Sequence, residues 1–492
     1  MVRWAGLLCS FRHGNHFRGR VIPILFLGLL LIGGCSVGPK YAKPATPQIP
    51  PAYKENANWK TAQPGDTAQK GNWWEIFQDP QLTALEEKVD VSNQSLRAAV
   101  DRYQEARDVL RQTRSSFFPL VTASVAPTQN RESQNKALFG ASSPVNYSDL
   151  VLQGDLSYEA DVWGSIRKSV ASSRELAQAS AADLETLRLS LHAELALDYL
   201  TLRGLDAQKQ LFDTNVDAFE KALQLTEDRF RGGVASREDV DLADTQLEQT
   251  RAQDIDITSQ RDQFEHAVAV LIGQPASSFN LNPAPMPVAP PVPPPGLPSQ
   301  LLERRPDIAG AERRVASANE QVGIARAAYF PTITLGLVGG FESQRFPNWL
   351  TGPSALWSIG ASAAETVFDA GRRRAVSDQS IATYDEMVAD YQQTVLASFQ
   401  QVEDSLSDLR VLDDEYKTQD AAVAAANRAL EQATNRYKGG LDTYLTVITA
   451  QSAALANERT AVSLQTRQLT STVLLVKALG GGWDVSKLPT GN

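Results

Sequence analysis

The chain is written twice, and whatever fold it adopts must hold two copies of one plan. Arg114-Ser-Ser-Phe-Phe-Pro119-Leu-Val-Thr returns 212 residues later as Arg326-Ala-Ala-Tyr-Phe-Pro331-Thr-Ile-Thr. Asp161-Val-Trp-Gly164 returns as Phe368-Asp369-Ala-Gly371, with its glycines 207 apart. At that same offset Arg229-Phe-Arg-Gly-Gly233-Val-Ala-Ser answers Arg436-Tyr-Lys-Gly-Gly440-Leu-Asp-Thr, and Leu271-Ile-Gly273 answers Ala478-Leu-Gly480. Chance likeness between helices could give one such match, but hardly four in order at nearly constant spacing. Between the copies, Leu281 to Gln300 carries nine prolines, which no helix interior or central strand accepts, so an extended linker is predicted there.

Each copy runs through the same sequence of periods. Residues 81–116 read as one helix, without a proline until Pro119. Alternating segments follow. Leu150, Leu152, Leu156 and Tyr158 fall on one face of a strand, and Val151, Gln153, Asp155, Ser157 and Glu159 on the other; Leu120–Thr128 alternates as its hairpin partner. The second copy repeats this with Ile333, Leu335, Leu337 and Phe341, then Trp357, Ile359 and Ala361. A helix of unusual length comes next in each copy. Arg372–Lys438 has 67 residues with neither glycine nor proline, and Ser165–Arg231 has only Gly204 as a breaker. Leu184, Leu187, Leu191, Leu195, Leu202, Leu205, Phe212, Phe219 and Leu223 recur at the 3, 4 or 7 spacing of a coiled-coil-like seam. The glycine pairs at 232–233 and 439–440 stop these helices, and a third helix is predicted back from Arg237 to Ile272 and from Tyr444 to Leu479.

Strands of about 10 residues can cross a bilayer when tilted, and their alternation suits one lipid face and one wet face. Four strands cannot close a barrel, and an open edge in lipid leaves backbone groups unsatisfied. Chains must therefore pool hairpins, and 12 strands from three chains is the simplest closed solution with a wide pore, although the sequence by itself does not count subunits. The predicted fold class is α plus membrane β-barrel: two tandem repeats, each with a β-hairpin and long coiled-coil-like helices, forming a trimeric 12-stranded β-barrel continued by a periplasmic α-helical barrel.

The first 34 residues hold Arg3, Arg12, Arg18 and Arg20, no acid, and the mainly apolar run Val21–Ile32, which is too short to span a bilayer. This reads as a secretory leader. Without it the chain has 43 basic and 57 acidic residues, a net of about −14, which excludes a nucleic-acid binder built on a basic face. Residues 35–492 carry one cysteine, Cys35, and two histidines, His192 and His266, too few for thiolate zinc sites, redox pairs or a disulfide framework. Both histidines read as structural, and the acidic text around Glu403-Asp404 and Asp413-Asp414-Glu415 as solvated helix face. No nucleophile motif accompanies it, so no active site, metal or cofactor is expected. The predicted divisions are 1–34 leader, 35–80 extended N-terminal segment, 81–280 first repeat, 281–300 linker, 301–482 second repeat and 483–492 tail.

Several short texts are more specific: Gly38-Pro39-Lys40-Tyr41, Trp73-Trp74, Leu297-Pro298-Ser299, and above all Leu301-Leu302-Glu303-Arg304-Arg305-Pro306-Asp307-Ile308. With the repeats, they make the chain resemble the outer membrane factors of the TolC/OprM/NodT type, in the lipoprotein branch used by tripartite efflux pumps. Leu31-Ile32-Gly33-Gly34-Cys35 resembles a lipobox, which implies covalent acyl chains on Cys35, and Ser36 after it favours the outer membrane. The resemblance implies a homotrimer in outer membrane lipid whose helical part meets a periplasmic adaptor and, through it, an inner-membrane transporter, RND-type in this branch.

The same resemblance assigns residues. The tips Arg229, Phe230, Gly233, Val234 and Ser236, and Arg436, Tyr437, Gly440, Leu441 and Thr443, would dock the adaptor; helix capping by the glycines, Ser236 and Thr443 is the plainer reading, and both can hold together. Where relatives often carry Leu-Leu-Asp-Ala-Gln and an acidic ring at the closed pore, this chain has Thr449, which leaves Leu445 as a more apolar constriction. Asp239, Asp241 and Asp442 either restore negative charge near that mouth or are simply solvated. Outside the resemblance, a non-conducting coiled-coil lipoprotein stalk and a duct for polypeptide secretion stay open as alternatives.

Overall fold

The computed structural model describes residues 37–56, 72–135, 144–288 and 298–489; the leader, Cys35 and residues 289–297 of the proline-rich linker lie outside the described residues. The elements in order are α1 (Pro80–Ser92), α2 (Gln94–Arg114), β1 (Leu120–Arg131), β2 (Asn146–Glu159), α3 (Ser165–Arg231), α4 (Arg237–Leu271), α5 (Leu301–Arg304), α6 (Pro306–Ala327), β3 (Thr332–Ser343), β4 (Ala355–Ala364), α7 (Arg372–Lys438) and α8 (Tyr444–Ala478). They divide into two compact units, and each unit takes segments from both repeats. Of the described residues, one holds those of 37–41, 110–173 and 317–384, and the other those of 42–109, 174–316 and 385–489.

The first unit is built on a four-stranded antiparallel sheet in the order β1-β2-β3-β4, so the hairpins of the two repeats pair directly through β2 and β3. The helices that leave the sheet start alike. Asp161 accepts the backbone N–H groups of Ile166 and Arg167 at 2.9 Å and the Arg167 Nε at 2.9 Å. Asp369 accepts those of Gly371 and Arg373 at 3.1 Å and the Arg373 Nε at 2.8 Å. A carboxylate at the first turn meets the unpaired N–H groups and the positive end of the helix dipole.

The second unit is helical. α3 and α7 each run 67 residues, as their composition predicts. The predicted seam is the core: Leu191, Leu195, Leu202, Leu205, Phe212 and Phe219 are buried, with Leu184, Leu187 and Leu223 packed against them. Gly204 does not break α3. A Cβ there would overlap Thr466 Oγ1 and lie 2.8 Å from its Cγ2, so this glycine serves the close approach of α8. Among the described residues no helix is long and apolar enough to cross a membrane.

Two expectations need correction. Residues 81–116 are two helices, because Asn93 adopts an extended backbone and its side chain accepts the Leu96 N–H at 2.9 Å while donating to the Leu271 carbonyl at 2.8 Å. Asparagine makes the local side-chain bonds that compete with helix, and here a distant helix end supplies the second partner. Glu403 is not a merely solvated residue: its carboxylate accepts the backbone N–H groups of Lys54 at 2.8 Å and Glu55 at 3.1 Å, holding the N-terminal segment to α7.

Candidate functional site: a two-faced sheet and paired helix turns

In an antiparallel sheet, residues in direct register share a face. Val121 pairs with Leu156, Leu156 with Leu337, and Leu337 with Ile359, an apolar row across all four strands. Val125, Leu152, Phe341 and Ala355 form a second such row. The opposite face carries Thr122, Asp155, Val338 and Ser358 in one row, and Glu159, Thr334 and Ser362 in another. Among the described residues much of this apolar face is open, most of all on the outer strands: Ile359 is 69% exposed and Trp357, on the same face, 79%. Among the described residues, β1 and β4 end the sheet with no strand beyond them. Apolar surface of this kind on one side and polar groups on the other is what a tilted strand between lipid and water requires. Phe118, Tyr329 and Phe330 stand exposed at the junctions with the helices, where the prolines end helical structure.

The predicted tips are a pair of matching turns in the helical unit. After α3 the Val234 N–H reaches back to the Arg229 carbonyl at 2.8 Å and the Gly233 N–H to Phe230 at 2.9 Å; after α7 the Leu441 N–H reaches Arg436 at 2.9 Å and the Gly440 N–H reaches Tyr437 at 3.0 Å. Gly233 and Gly440 have φ of 73° and 72°, the left-handed conformation this helix ending demands. In such endings the apolar residue after the glycine usually folds back on the helix. Here Val234 is 68% exposed and Leu441 73%, with Phe230 also in solvent.

The two turns touch each other. The Arg229 guanidinium lies 4.6 Å over the Tyr437 ring, and its Nη1 donates to the Lys438 carbonyl at 3.3 Å. Tyr437 packs against Tyr444 with ring centroids 5.0 Å apart. Burial pushes the Tyr444 phenol up to about 12. Arg436, the repeat counterpart of Arg229, instead pairs with Asp442 at 3.2 Å.

Capping also differs between the copies. Ser236 and Asp239 form a reciprocal box: the Asp239 N–H donates to Ser236 Oγ at 3.1 Å and the Ser236 N–H to Asp239 Oδ2 at 3.0 Å. Thr443 occupies the matching position, but its side chain makes no cap hydrogen bond, contrary to the sequence expectation. Asp442 takes over, accepting the Thr443 N–H at 2.9 Å and the Thr446 hydroxyl at 3.0 Å. These bonds, with Arg436, hold its carboxyl below the usual range. Asp241 is paired with Arg237 at 2.9 Å on the exposed side of α4. Leu445 and Thr449 share one exposed face of α8, where the Thr449 hydroxyl donates to the Leu445 carbonyl at 2.9 Å.

One cluster escaped the sequence reading. Arg203 is fully buried, with Nη1 donating to Asp206 at 2.5 Å and to the Asn282 carbonyl at 3.0 Å, and Nη2 to Gln81 at 2.9 Å. Arg261 joins Asp206 and Glu265, each at 2.7 Å, and Glu265 and Asp206 accept the Leu281 and Ala284 N–H groups at 3.2 Å. The start of the linker is thus clamped by charge. An arginine four residues after Tyr199, inside an apolar seam, was the available signal. His192 is buried against Glu86, His266 is exposed, and among the described residues no group of three or more His, Cys, Asp or Glu is placed to hold a metal ion.

Comparison with known proteins agrees with this geometry. A family model described as "Outer membrane efflux protein" matches residues 86–274 and again 297–481. The pyoverdine export outer membrane protein OpmQ of Pseudomonas aeruginosa is 30% identical over 464 residues, 94% of this chain and 96% of that protein. The toluene efflux pump outer membrane protein TtgF of Pseudomonas putida is 31% identical, over 92% of this chain and 95% of its own. The solved structure of the outer-membrane channel OprN superimposes with a TM-score of 0.85 at 30% identity, covering 91% of this chain and all of that one. Matched along both repeats and alike to these channels over nearly its whole length, the chain belongs to the outer membrane efflux protein family.

Proposed function

We propose that the protein is the passive exit duct of a tripartite efflux or export system, closed from three copies of this chain. Membership of the outer membrane efflux protein family supports this reading. The observation that carries the finer reading is the sheet: among the described residues, four strands, an apolar face in register across all of them, and two edges without a partner strand. Membrane barrels need about 8 strands or more, and hydrocarbon tolerates no open edge. Three sheets give 12 strands and a wide pore.

On this reading the exposed apolar tips Phe230, Val234 and Leu441 meet a periplasmic adaptor, which links the duct to an inner-membrane transporter of the RND type. Leu445 forms an apolar constriction, with uncharged Thr449 one turn away, and Asp241 and Asp442 lend negative charge nearby. Cys35 carries acyl chains that fix the protein to outer-membrane lipid; two or more chains make a stable anchor. The relatives named for toluene efflux and for pyoverdine export support a duct that serves export. The test is direct: protein purified in detergent has the mass of a trimer and gives unitary conductance steps in planar bilayers. Single polypeptides by light scattering, or a silent bilayer, would overturn the reading.

A further inference from the structure

We propose that Gly38 and Gly323 form a seat that pins the acylated N-terminus to the base of the four-stranded sheet, so that lipid on Cys35 enters the membrane beside the sheet's apolar face. The inference rests on the acylation of Cys35 read above. The Val37 N–H donates to the Trp163 carbonyl at 3.1 Å. Gly38 has φ of 121°, and a Cβ on it would lie 2.7 Å from Gly323 Cα and 3.3 Å from Lys168 Cε. A Cβ on Gly323 would in turn overlap Lys168 Cδ and stand 2.6 Å from its Cε. Lys168 has little room to retreat: it is buried, and its Nζ is 2.8 Å from Glu320 Oε2. Two residues without side chains therefore meet against a fixed wall.

That wall belongs to the end of the sheet. Trp163 donates its indole N–H to the Pro331 carbonyl at 2.8 Å and stacks on Phe330 at 4.7 Å, and Ala160, just after β2, donates to the Ile333 carbonyl of β3 at 2.9 Å. The seat is also absent from the other repeat. At an offset of 212 the counterpart of Gly323 is Arg111, and at 207 the counterpart of Lys168 is Ala375. The chain has one N-terminus, and the glycine and lysine that receive it are not repeated in the other copy. Cys35 precedes Val37 by two residues, so it is tethered within about 7 Å. A seated tether fixes the depth and position of the lipid, which a loose one leaves free.

The experiment places a nitroxide on Lys40→Cys, an exposed position beside the seat, in outer-membrane vesicles of the full-length protein. The label is expected to be immobilised and, by collision with oxygen and with a nickel chelate, to lie at the boundary between membrane and water. Gly38→Val, which leaves the helical core untouched, is expected to raise the mobile fraction at least threefold. Cys35→Ser behind an ordinary cleavable leader is expected to keep the label immobile, because protein contact and not lipid holds the segment. An unchanged spectrum in Gly38→Val, a mobile label in Cys35→Ser, or a label in bulk water in the parent overturns the seat. Palmitate labelling of the parent tests acylation separately: its absence removes the lipid and leaves the label measurement intact.

Discussion

Glu86 Oε2 lies 2.7 Å from His192 Nδ1 in a site closed to solvent, and the pair couples α1 to α3. Trp74 stacks on the imidazole at 4.6 Å, Asp90 stands 3.4 Å from Nε2, and Arg188 lies 3.1 Å from Asp90 and 2.6 Å from Glu185. Burial raises the Glu86 carboxyl to about 7, against the opposing pull of its hydrogen bond with His192. A carboxyl raised in the folded state contributes stability that is complete below its unfolded value and is lost as pH climbs to the folded one. Stability should therefore fall between about pH 4.5 and 7, by on the order of 3 kcal/mol from this group, read as a lower thermal midpoint. Glu86→Gln should flatten that slope in scans at fixed rate. A slope identical to the parent's would show that this carboxyl does not titrate on folding.

Gly204 marks where α3 and α8 come closest. Gly204→Ala drives a methyl group into Thr466 and should cost about 1–3 kcal/mol, read as a lower thermal midpoint. Thr466→Ala in the same chain should return much of the loss, because it removes both atoms nearest the new methyl. Additive losses in the double variant would mean that the two residues are not in contact.

The unequal caps predict unequal costs. Ser236→Ala removes one side of a reciprocal box and should cost about 1 kcal/mol. Thr443→Ala removes a side chain that caps nothing and should stay within about 0.5 kcal/mol. Hydrogen exchange of the first-turn amides of α4 and α8 measures both: faster exchange is expected at the start of α4 alone.

The two faces of the sheet should tolerate charge differently. Ile359→Lys puts an ammonium on the apolar face and should cost about 2–4 kcal/mol at mid-membrane depth, depleting the assembled, heat-modifiable band in outer membranes. Ser358→Lys, one residue away on the polar face, should assemble normally. Equal loss from both would mean that the apolar rows do not face lipid.

The sequence by itself determined the repeat, the hairpins, the bounds of α3 and α7 and the two faces of the sheet. These follow from local periods: 2 for a strand between unlike surroundings, about 3.6 for a helix with one buried seam, and glycine where a left-handed turn must stop it. The family also lay in contiguous text, from Leu301 to Ile308. What the tertiary structure decided depended on partners far away in the chain. Asn93 splits a helix because the end of α4 offers it a carbonyl, and Glu403 becomes a contact because Lys54 and Glu55 bring it two N–H groups. Gly204 is a contact and not a break because Thr466 lies against it, and Arg203 can be buried because Asp206, Gln81 and Asn282 converge on it. Periodicity records which way a residue faces, whereas what it faces is fixed only when separate segments pack together.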